Sequence, residues 1–343
     1  MSILITLLII AVLVLVHEWG HFIVARRVGI PIHEFALGFG YKLFSIKRNG
    51  VEYSLRLIPL GGFVRMAGEE LDDLNESQGY SSRTPLEKIR VAFAGPFMNF
   101  VLAILIFIYI FAFIGIPHSS NEAVLGKVME DKPAYAAGLR ENDEILEVEG
   151  AKVTNWHEFT EQIGQIEAGQ NLEMIISRDG QQQTIIVAPE YNSTTGQTAI
   201  GVLNKIKYER QGIITSIKLG LEQTYELTVL LLGGLWTLVS GGAGVNDLAG
   251  PVGITKLVGE AADIGFVFLL NFAAFLSINL GILNLLPIPA LDGSKIMFAT
   301  IEAVRRKPIE PEKEGLFNWI GFMFLLLLIV VVTYNDILRL FKG

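Results

Sequence analysis

Four runs of apolar residues are each long enough to cross a lipid bilayer, and they restrict the fold more than any other feature. They cover residues 3–25, 91–116, 265–287 and 316–334. A helix needs roughly 20 residues, at about 1.5 Å each, to cross a hydrocarbon core about 30 Å thick. Since 51% of the 343 residues are hydrophobic, the sequence predicts an integral membrane protein with four transmembrane helices.

The first run is either a retained helix or a signal peptide that is removed. It has no basic segment before it and no small-residue cleavage site after it, and Arg26 and Arg27 follow it instead. These features favour a retained first helix.

Basic residues are distributed unevenly among the connections. The connection 24–90 contains 10 Lys and Arg and 295–315 contains 5, whereas 116–212 contains 8 beside 15 Asp and Glu. By the positive-inside rule, the first and third connections lie in the cytoplasm. We therefore expect the insert 117–212 and both chain termini on the extracytoplasmic side.

The connection after the first run alternates between apolar and polar residues over 41–64, as in VEYSLRL. Asn49 and Gly50, directly before VEYSLRL, are a strong signal for a two-residue hairpin turn. We predict a membrane-associated β-hairpin or small sheet on the cytoplasmic side, followed by a glycine-rich turn at LGGF. Tyr53 and Leu55 would lie on a strand edge where an extended peptide could pair, and an inert connection is the alternative.

The acidic insert contains short alternating segments, among them LEMIISRDGQQQTIIVAP, around one helical pattern, WHEFTEQIGQIEA. This combination predicts a compact α/β or mostly-β domain of under 100 residues on the extracytoplasmic side.

Segment 221–239 is ambiguous, because it holds two Glu, a Gly pair and only a short strongly apolar stretch. As a fifth span it would place the C-terminal end of the next helix outside, against the loop charges. An interfacial amphipathic helix fits the segment better.

Three ionisable residues interrupt the first apolar run, in the sequence HEWGH at His17, Glu18 and His21. Each costs on the order of 3 kcal/mol inside a bilayer, so a compensating interaction is required. On a helix the two histidines lie on one face, where both can bind one Zn²⁺, and Glu18 lies beside them as a general base. A polar contact between helices and a proton relay are the alternatives.

A third zinc ligand is expected elsewhere in the chain, because a catalytic zinc has three protein ligands and one open position. The chain has no cysteine, so the ligand is an Asp, Glu or His. Asp292 is the candidate, since Pro287 and Pro289 break an apolar helix just before it. Irregular backbone at membrane depth is tolerated only where it is buried in protein or lines a cavity. A simple Asp-Gly turn is the alternative.

Other clusters of Asn, Pro and Gly lie near the spans. Asn284 and Pro287, with backbone groups freed by the prolines, are candidates to bind a substrate peptide or the developing oxyanion. In GPFMN, close helix packing is the first interpretation, ahead of a direct catalytic role for Asn99. GPVGI at 250–254 is interpreted as structural.

HEWGH in the first span, GPFMNF opening the second and NLLPIPALDG closing the third resemble the site-2 protease family of intramembrane zinc metalloproteases, peptidase family M50. The resemblance covers essentially the whole chain and is to the family's bacterial branch. It implies that one Zn²⁺ is bound by His17, His21 and Asp292, and that Glu18 is the catalytic residue. It also implies that KPAYAAGLRENDEILEVEG belongs to a PDZ domain, and the insert has room for one.

The expected fold is therefore an α-helical polytopic membrane protein with one extracytoplasmic PDZ domain. Residues 1–116 hold the first two transmembrane helices and the hairpin, and 117–190 form the PDZ domain. Residues 191–264 form a linker and the interfacial helix, and 265–343 hold the last two transmembrane helices.

The resemblance implies regulated intramembrane proteolysis of single-span membrane proteins after a first external cleavage. Anti-sigma factors and signal-peptide remnants are the expected substrates, in the bacterial inner (plasma) membrane, with the active site near the cytoplasmic face. C-terminal peptides are candidate ligands of the PDZ domain, and no nucleic acid partner is expected. The alternatives are a zinc transporter or sensor, in which Glu18 does no chemistry, and a membrane-tethered PDZ adaptor.

Overall fold

The structure is a computed structural model that describes residues 1–69, 78–192, 197–242, 244 and 249–342. It divides into two compact units, one of Met1–Ala112 with Gly212–Gly343 and one of Phe113–Gln211. The helices are α1 (Ser2–Val28), α2 (Pro85–Tyr109, continued by a π-helical turn over Ile110–Ile114), α3 (Pro133–Ala136), α4 (Trp156–Gly164), α5 (Ile213–Val239), α6 (Pro251–Ile264), α7 (Phe266–Leu285), α8 (Asp292–Arg305) and α9 (Pro311–Lys342). The strands are β1 (Ile32–Arg48), β2 (Val51–Met66), β3 (Ile116–Ser119), β4 (Leu125–Val128), β5 (Glu144–Val148), β6 (Ala151–Lys152), β7 (Leu172–Arg178), β8 (Gln181–Val187), β9 (Glu190–Asn192), β10 (Gln197–Ala199), β11 (Val202–Asn204) and β12 (Ile206–Glu209).

Four helices among the described residues are long and apolar enough to span a membrane. They are Ser2–Val28, Pro85–Ile114, Phe266–Leu285 and Glu312–Arg339. Each coincides with one of the apolar runs in the sequence, so the predicted set of four transmembrane helices is confirmed.

The first two spans pack closely against each other. A methyl group on Gly20 of α1 would lie 2.3 Å from the backbone oxygen of Ala94 on α2, so the two helix backbones approach closely there. The start of α2 is fixed by a capping box, in which the Thr84 side chain accepts from the Glu87 N–H and the Glu87 carboxylate accepts from the Thr84 N–H. These contacts set the register in which α2 faces HEWGH.

The predicted interfacial segment 221–239 is the C-terminal part of the longer helix α5. Ser216, Gly220 and Thr224, spaced four residues apart, are the buried positions of this helix. A methyl group on Gly220 would lie 3.1 Å from a side-chain carbon of Ile108 on α2. A stripe of small residues therefore packs α5 against α2, and the interfacial depth of the segment stays a prediction.

The hairpin of β1 and β2 is longer than predicted, since its strands extend from Ile32 to Met66 rather than over 41–64. Asn49 and Gly50 connect the strands with φ of 52° and 81°, the backbone of a type I′ turn. The two-residue turn that the sequence signals is thus present.

The two strands bend so that the beginning of β1 pairs on both sides. Phe35 pairs with Val64 on one side and with Tyr53 on the other. The sheet therefore has the order 62–66, 32–37, 51–55 and 44–48. The chain reverses direction between Ile58, which pairs with Phe39, and Gly62, which pairs with Leu37, and Gly61 has a φ of 111° there. The glycine-rich turn predicted at LGGF therefore lies at this reversal.

The apolar helix α7 ends just before the proline-containing break 286–291, and α8 begins at Asp292. The break is held by α9, since the Ala290 N–H donates to Asn318 Oδ1 at 3.2 Å. The Ser294 hydroxyl donates to the Leu291 carbonyl at 2.7 Å and closes the first turn of α8. These hydrogen bonds hold the break in place and therefore fix the position of Asp292 at the start of α8.

GPVGI opens helix α6, as a structural motif would. The Gly253 N–H donates to Asp336 Oδ2 on α9 at 2.8 Å, and the Asp336 side chain is buried. The carboxylate thereby satisfies a free N–H at the start of α6.

The second unit is an α/β fold. Its main sheet is antiparallel, in the order β6, β5, β7, β8, and smaller pairs join β3 with β12, β4 with β11 and β9 with β10. The unit continues past residue 190, the predicted domain end, because β11 and β12 return to pair with β4 and β3. With four spans, a small sheet after the first span and one α/β domain, the predicted fold class is confirmed. The core of this unit consists of Ala123, Leu125, Ala134, Leu139, Ile145, Val148, Val153, Phe159, Ile163, Leu172, Met174, Ile176, Val187 and Ile200.

Candidate metal centre and active site

Two histidine side chains of α1 lie one helical turn apart and converge on one point. His17 and His21 are each 7% exposed, and their Nε2 atoms are 3.1 Å apart. The spacing of four residues in HEWGH thus produces a pair of buried nitrogen donors on one face of the helix.

Asp292 brings a third donor to the same point. Its Oδ2 atom lies 3.1 Å from Nε2 of His17 and 3.2 Å from Nε2 of His21. Ligand atoms that each lie about 2.0–2.2 Å from a tetrahedral zinc are roughly 3.3–3.6 Å apart. The three donors therefore have nearly the spacing of a zinc site with one open position.

The second ring nitrogen of each histidine has a partner that leaves Nε2 free for a metal. His21 Nδ1 donates to the Val91 carbonyl at 2.8 Å. His17 Nδ1 lies 3.1 Å from the side-chain amide of Asn99, a fully buried residue whose Oδ1 has no hydrogen-bond partner. Rotating that amide by 180° places Oδ1 on the His17 Nδ1–H and satisfies both groups. The residues present therefore fit a zinc ion.

Helix α2 comes closest to the donors at Gly95. A methyl group there would lie 2.2 Å from Nε2 of His21 and 2.8 Å from Nε2 of His17. One turn further along α2, the Asn99 carbonyl accepts from the Ser277 hydroxyl of α7 at 2.8 Å. GPFMN therefore supplies both a close helix contact and a partner that orients a ligand histidine, and the sequence pattern indicated chiefly the first.

The three donors open onto a cavity of about 330 Å³. Glu18 lines the cavity beside the outer strand of the sheet, since a methyl group on Gly62 would lie 3.4 Å from Glu18 Cγ. A carboxylate, three metal donors and a strand edge thus surround one space. The lining residues are Val14, His17, Glu18, His21, Gly61, Gly62, Phe63, Val64, Met66, Glu69, Leu280, Asn284, Ala290, Leu291, Asp292 and Lys295.

The predicted substrate-binding residues are only partly brought together. Asn284 lines the cavity, whereas Pro287 lies in the adjoining break and is not among the lining residues. Tyr53 and Leu55 lie in a segment that pairs on both sides, so the prediction that they form a free strand edge is wrong. In the described part of the chain the segment that pairs on one side only, next to the cavity, is 62–66, because β2 returns past β1.

Two charged residues of this cavity, Lys295 and Glu69, lie outside the motifs that the sequence indicates. Lys295 Nζ lies 2.5 Å from Glu69 Oε1. Burial opposes the charged form of Lys295, but the carboxylates of Glu69 and Asp292 outweigh it and hold the pKa of the ammonium above its usual value. Because Lys295 follows Asp292 by three residues on a helix, the sequence could have indicated that both side chains lie on the same face. Glu69 follows β2, and nothing in the sequence connects it with α8.

The spanning helices and the buried His-His-Asp donor set define a membrane-embedded zinc hydrolase. A profile of Peptidase family M50 matches residues 5–328. The chain belongs to Peptidase family M50.

Curated relatives agree with this assignment. The zinc metalloprotease RasP of Oceanobacillus iheyensis is 35% identical, and the alignment covers 98% of each chain. The regulator of sigma-W protease RasP of Bacillus subtilis is 34% identical over 98% of each chain. A putative zinc metalloprotease of Clostridium perfringens is 39% identical over 98% of this chain and 99% of its own. The protein is therefore a zinc metalloprotease.

Solved PDZ domains are similar to part of the chain. The PDZ domain of an SdrC-like protein from Listeria innocua is 24% identical, covers 27% of this chain and all of its own, and has a TM-score of 0.23. A PDZ domain of an SdrC-like protein from Listeria monocytogenes is 20% identical, covers 25% of this chain and 90% of its own, and has the same TM-score.

Proposed function

We propose that His17, His21 and Asp292 bind the zinc of an intramembrane endoprotease and that Glu18 is its catalytic base. The proposal rests on the convergence of three donor atoms within 3.2 Å of one another beside Glu18. Two of these donors and Glu18 belong to an apolar helix of membrane length. A metal at that point compensates for three ionisable groups inside a span.

The chemistry is hydrolysis of a peptide bond. When bound, zinc lowers the pKa of water toward about 7 and polarises the scissile carbonyl. Glu18 takes a proton from the attacking water and delivers it to the leaving nitrogen, so the bond between carbon and nitrogen breaks. The second proton of the water follows, and the products are a carboxylate and an ammonium group. The Val91 carbonyl and the Asn99 amide hold the two imidazoles in position throughout.

The site belongs near the cytoplasmic face of a bacterial plasma membrane. His17 lies 15 residues after Ser2, or about 22 Å along α1 at about 1.5 Å per residue. Arg26 and Arg27 follow in the last turn of the helix, where the positive-inside rule places the cytoplasm. The same rule places the α/β unit, which we interpret as a PDZ domain, and both termini outside.

We propose single-span membrane proteins as substrates. A transmembrane helix locks its carbonyls in backbone hydrogen bonds, so a substrate must be unwound before attack. Segment 62–66 offers an unpaired strand edge beside Glu18, on which the unwound segment can pair. Anti-sigma factors and signal-peptide remnants are substrates of this kind, and one relative is named as the regulator of sigma-W protease.

The Asp292→Ala variant tests the metal centre and the activity together. We expect it to lose zinc, because two imidazoles alone do not complete the site, and to lose cleavage of a single-span protein in liposomes. Zinc per chain is measured by mass spectrometry on purified protein, and cleavage sites are mapped on the products. Asp263→Ala, near the end of α6, is the matched control. Full zinc content in Asp292→Ala would exclude this ligand.

Strand pairing is tested on the substrate, with the protease unchanged. A backbone N-methyl group removes one N–H donor, and a hydrogen bond contributes about 0.5–1.5 kcal/mol, or roughly 2- to 13-fold in kcat/KM. Because alternate residues of a strand face the same neighbour, we expect losses at every second position around the scissile bond and little change between them. Equal losses at consecutive positions would contradict pairing along 62–66.

A further inference from the structure

Lys295 is the only lysine or arginine among the described residues that line the catalytic cavity. The other ionisable side chains in the lining are the carboxylates of Glu18, Glu69 and Asp292 and the two histidines of the metal centre. Any negative charge that forms in this space therefore has one protein ammonium group to interact with. This position is not part of HEWGH or of the zinc donor set.

The position of the ammonium group is fixed by its place on α8 and by one ion pair. Lys295 lies one turn after Asp292 on α8, so both side chains project from the same side of that helix. Its Nζ is held 2.5 Å from Glu69 Oε1, at the end of the segment that follows β2. The side chains are 29% and 24% exposed, so the pair is partly withdrawn from water and its charges are less screened than those at a surface.

Hydrolysis creates negative charge at one atom in this cavity. As the water oxygen adds to the carbonyl carbon, an electron pair moves onto the carbonyl oxygen. The bond to nitrogen then breaks, the nitrogen takes both protons of the water, and the new C-terminus remains as a carboxylate. A fixed cation close to that atom stabilises the transition state without reorganising at the moment of reaction.

We propose that Lys295 is a catalytic residue that binds the negative charge developing on the scissile carbonyl and then the new carboxylate of the product, with Glu69 as its positioning residue. This role rests on the proposed function of Glu18 and the zinc donors. The rival is a purely structural ion pair that ties α8 to the end of β2.

Four variants separate these roles: Lys295→Met, Lys295→Arg, Glu69→Gln and the double variant Lys295→Met/Glu69→Gln. We expect Lys295→Met to lower kcat about 10²-fold with little change in KM, as loss of one oxyanion partner does elsewhere. Lys295→Arg keeps the charge and should recover most of the rate. The double variant removes both charges, so it should stay as slow as Lys295→Met.

A structural ion pair predicts a different pattern. Lys295→Met would then leave a partly buried carboxylate without its partner, and removing Glu69 as well would restore the rate. Recovery of wild-type kcat in the double variant, or an unchanged kcat in Lys295→Met, would overturn the proposal. Zinc content and thermal unfolding of the full chain in detergent show whether each variant is folded.

Product binding gives a readout that needs no turnover. The probes are two copies of the mapped N-terminal product peptide, one with a free C-terminal carboxylate and one with a C-terminal amide. In zinc-depleted protein, wild type and Lys295→Arg should bind the carboxylate form more tightly, and Lys295→Met should bind the two forms equally. Equal binding by the wild type would contradict the role of Lys295. If Glu18→Gln left cleavage intact, the proposed function itself would fail instead.

Discussion

The Glu18→Gln variant is expected to keep zinc and lose cleavage. The amide has nearly the same shape as the carboxylate, but it cannot accept a proton from the attacking water. General acid and base groups contribute about 10²- to 10⁴-fold to the rate, so cleavage of a single-span substrate in liposomes should fall by that factor. Zinc content should stay at the wild-type value, because Glu18 does not belong to the donor triangle.

The control for this variant is Glu226→Gln, an exposed glutamate on α5 that is absent from the cavity lining. It should cleave at the wild-type rate. If Glu18→Gln cleaved as fast as this control, the base assignment would be wrong. If the wild type and Glu18→Gln both bound zinc at His17, His21 and Asp292 but neither cleaved the substrate, the protein would instead be a zinc transporter or sensor.

Gly95→Ala is expected to eject the metal by filling its site with a single methyl group. The new carbon would lie 2.2 Å from Nε2 of His21 and 2.8 Å from Nε2 of His17, well inside van der Waals contact. Both histidines lie on a helix that is itself in close contact with α2, so they cannot move away together. We expect loss of bound zinc and of cleavage, measured on the same purified sample.

The matched control is Gly233→Ala on α5, where an added methyl group meets nothing within 4 Å. Alanine is favoured over glycine by roughly 0.5–1 kcal/mol inside a helix, so this control should be as stable as wild type or slightly more stable. Full zinc content in Gly95→Ala would show that the approach of α2 to the donors is looser than its backbone indicates.

The four spans and the candidate zinc donors were predictable from the sequence for two different reasons. Membrane length is a local property of each apolar run, so 20-residue windows suffice to find it. HEWGH is also local, because a helix brings His17 and His21 together whatever surrounds them. The absence of cysteine restricted the third ligand to Asp, Glu or His, and Asp292 was the candidate because Pro287 and Pro289 break an apolar helix just before it.

The course of the sheet was not predictable, because it depends on pairing between distant segments. Alternation in VEYSLRL shows that the segment is a strand, but both of its edges are occupied only because β1 bends around it, with 32–37 on one side and 44–48 on the other. LGGF predicts the reversal of the chain before 62–66, but the local pattern does not show that 62–66 then pairs with 32–37.

Contacts of polar and charged side chains between distant segments were likewise not predictable from the sequence. Glu69 and Lys295 are 226 residues apart, and their 2.5 Å contact exists only after α8 has packed beside β2. Asn99 could be placed on a helix from its sequence, yet its contact with His17 needs the crossing of α1 and α2. Local patterns thus identified the candidate donors, whereas tertiary packing determined what surrounds them.

The division of the metal donors between α1 and α8 has a consequence for biosynthesis. A nascent chain exposes His17, Glu18 and His21 early, but it cannot complete the donor triangle until Asp292 has emerged from the ribosome and α8 has packed against α2. Two imidazoles alone hold zinc weakly, so the growing chain carries no competent hydrolytic centre while it is inserted. The proposed hydrolytic centre therefore forms only after α8 has been made and has packed against α2.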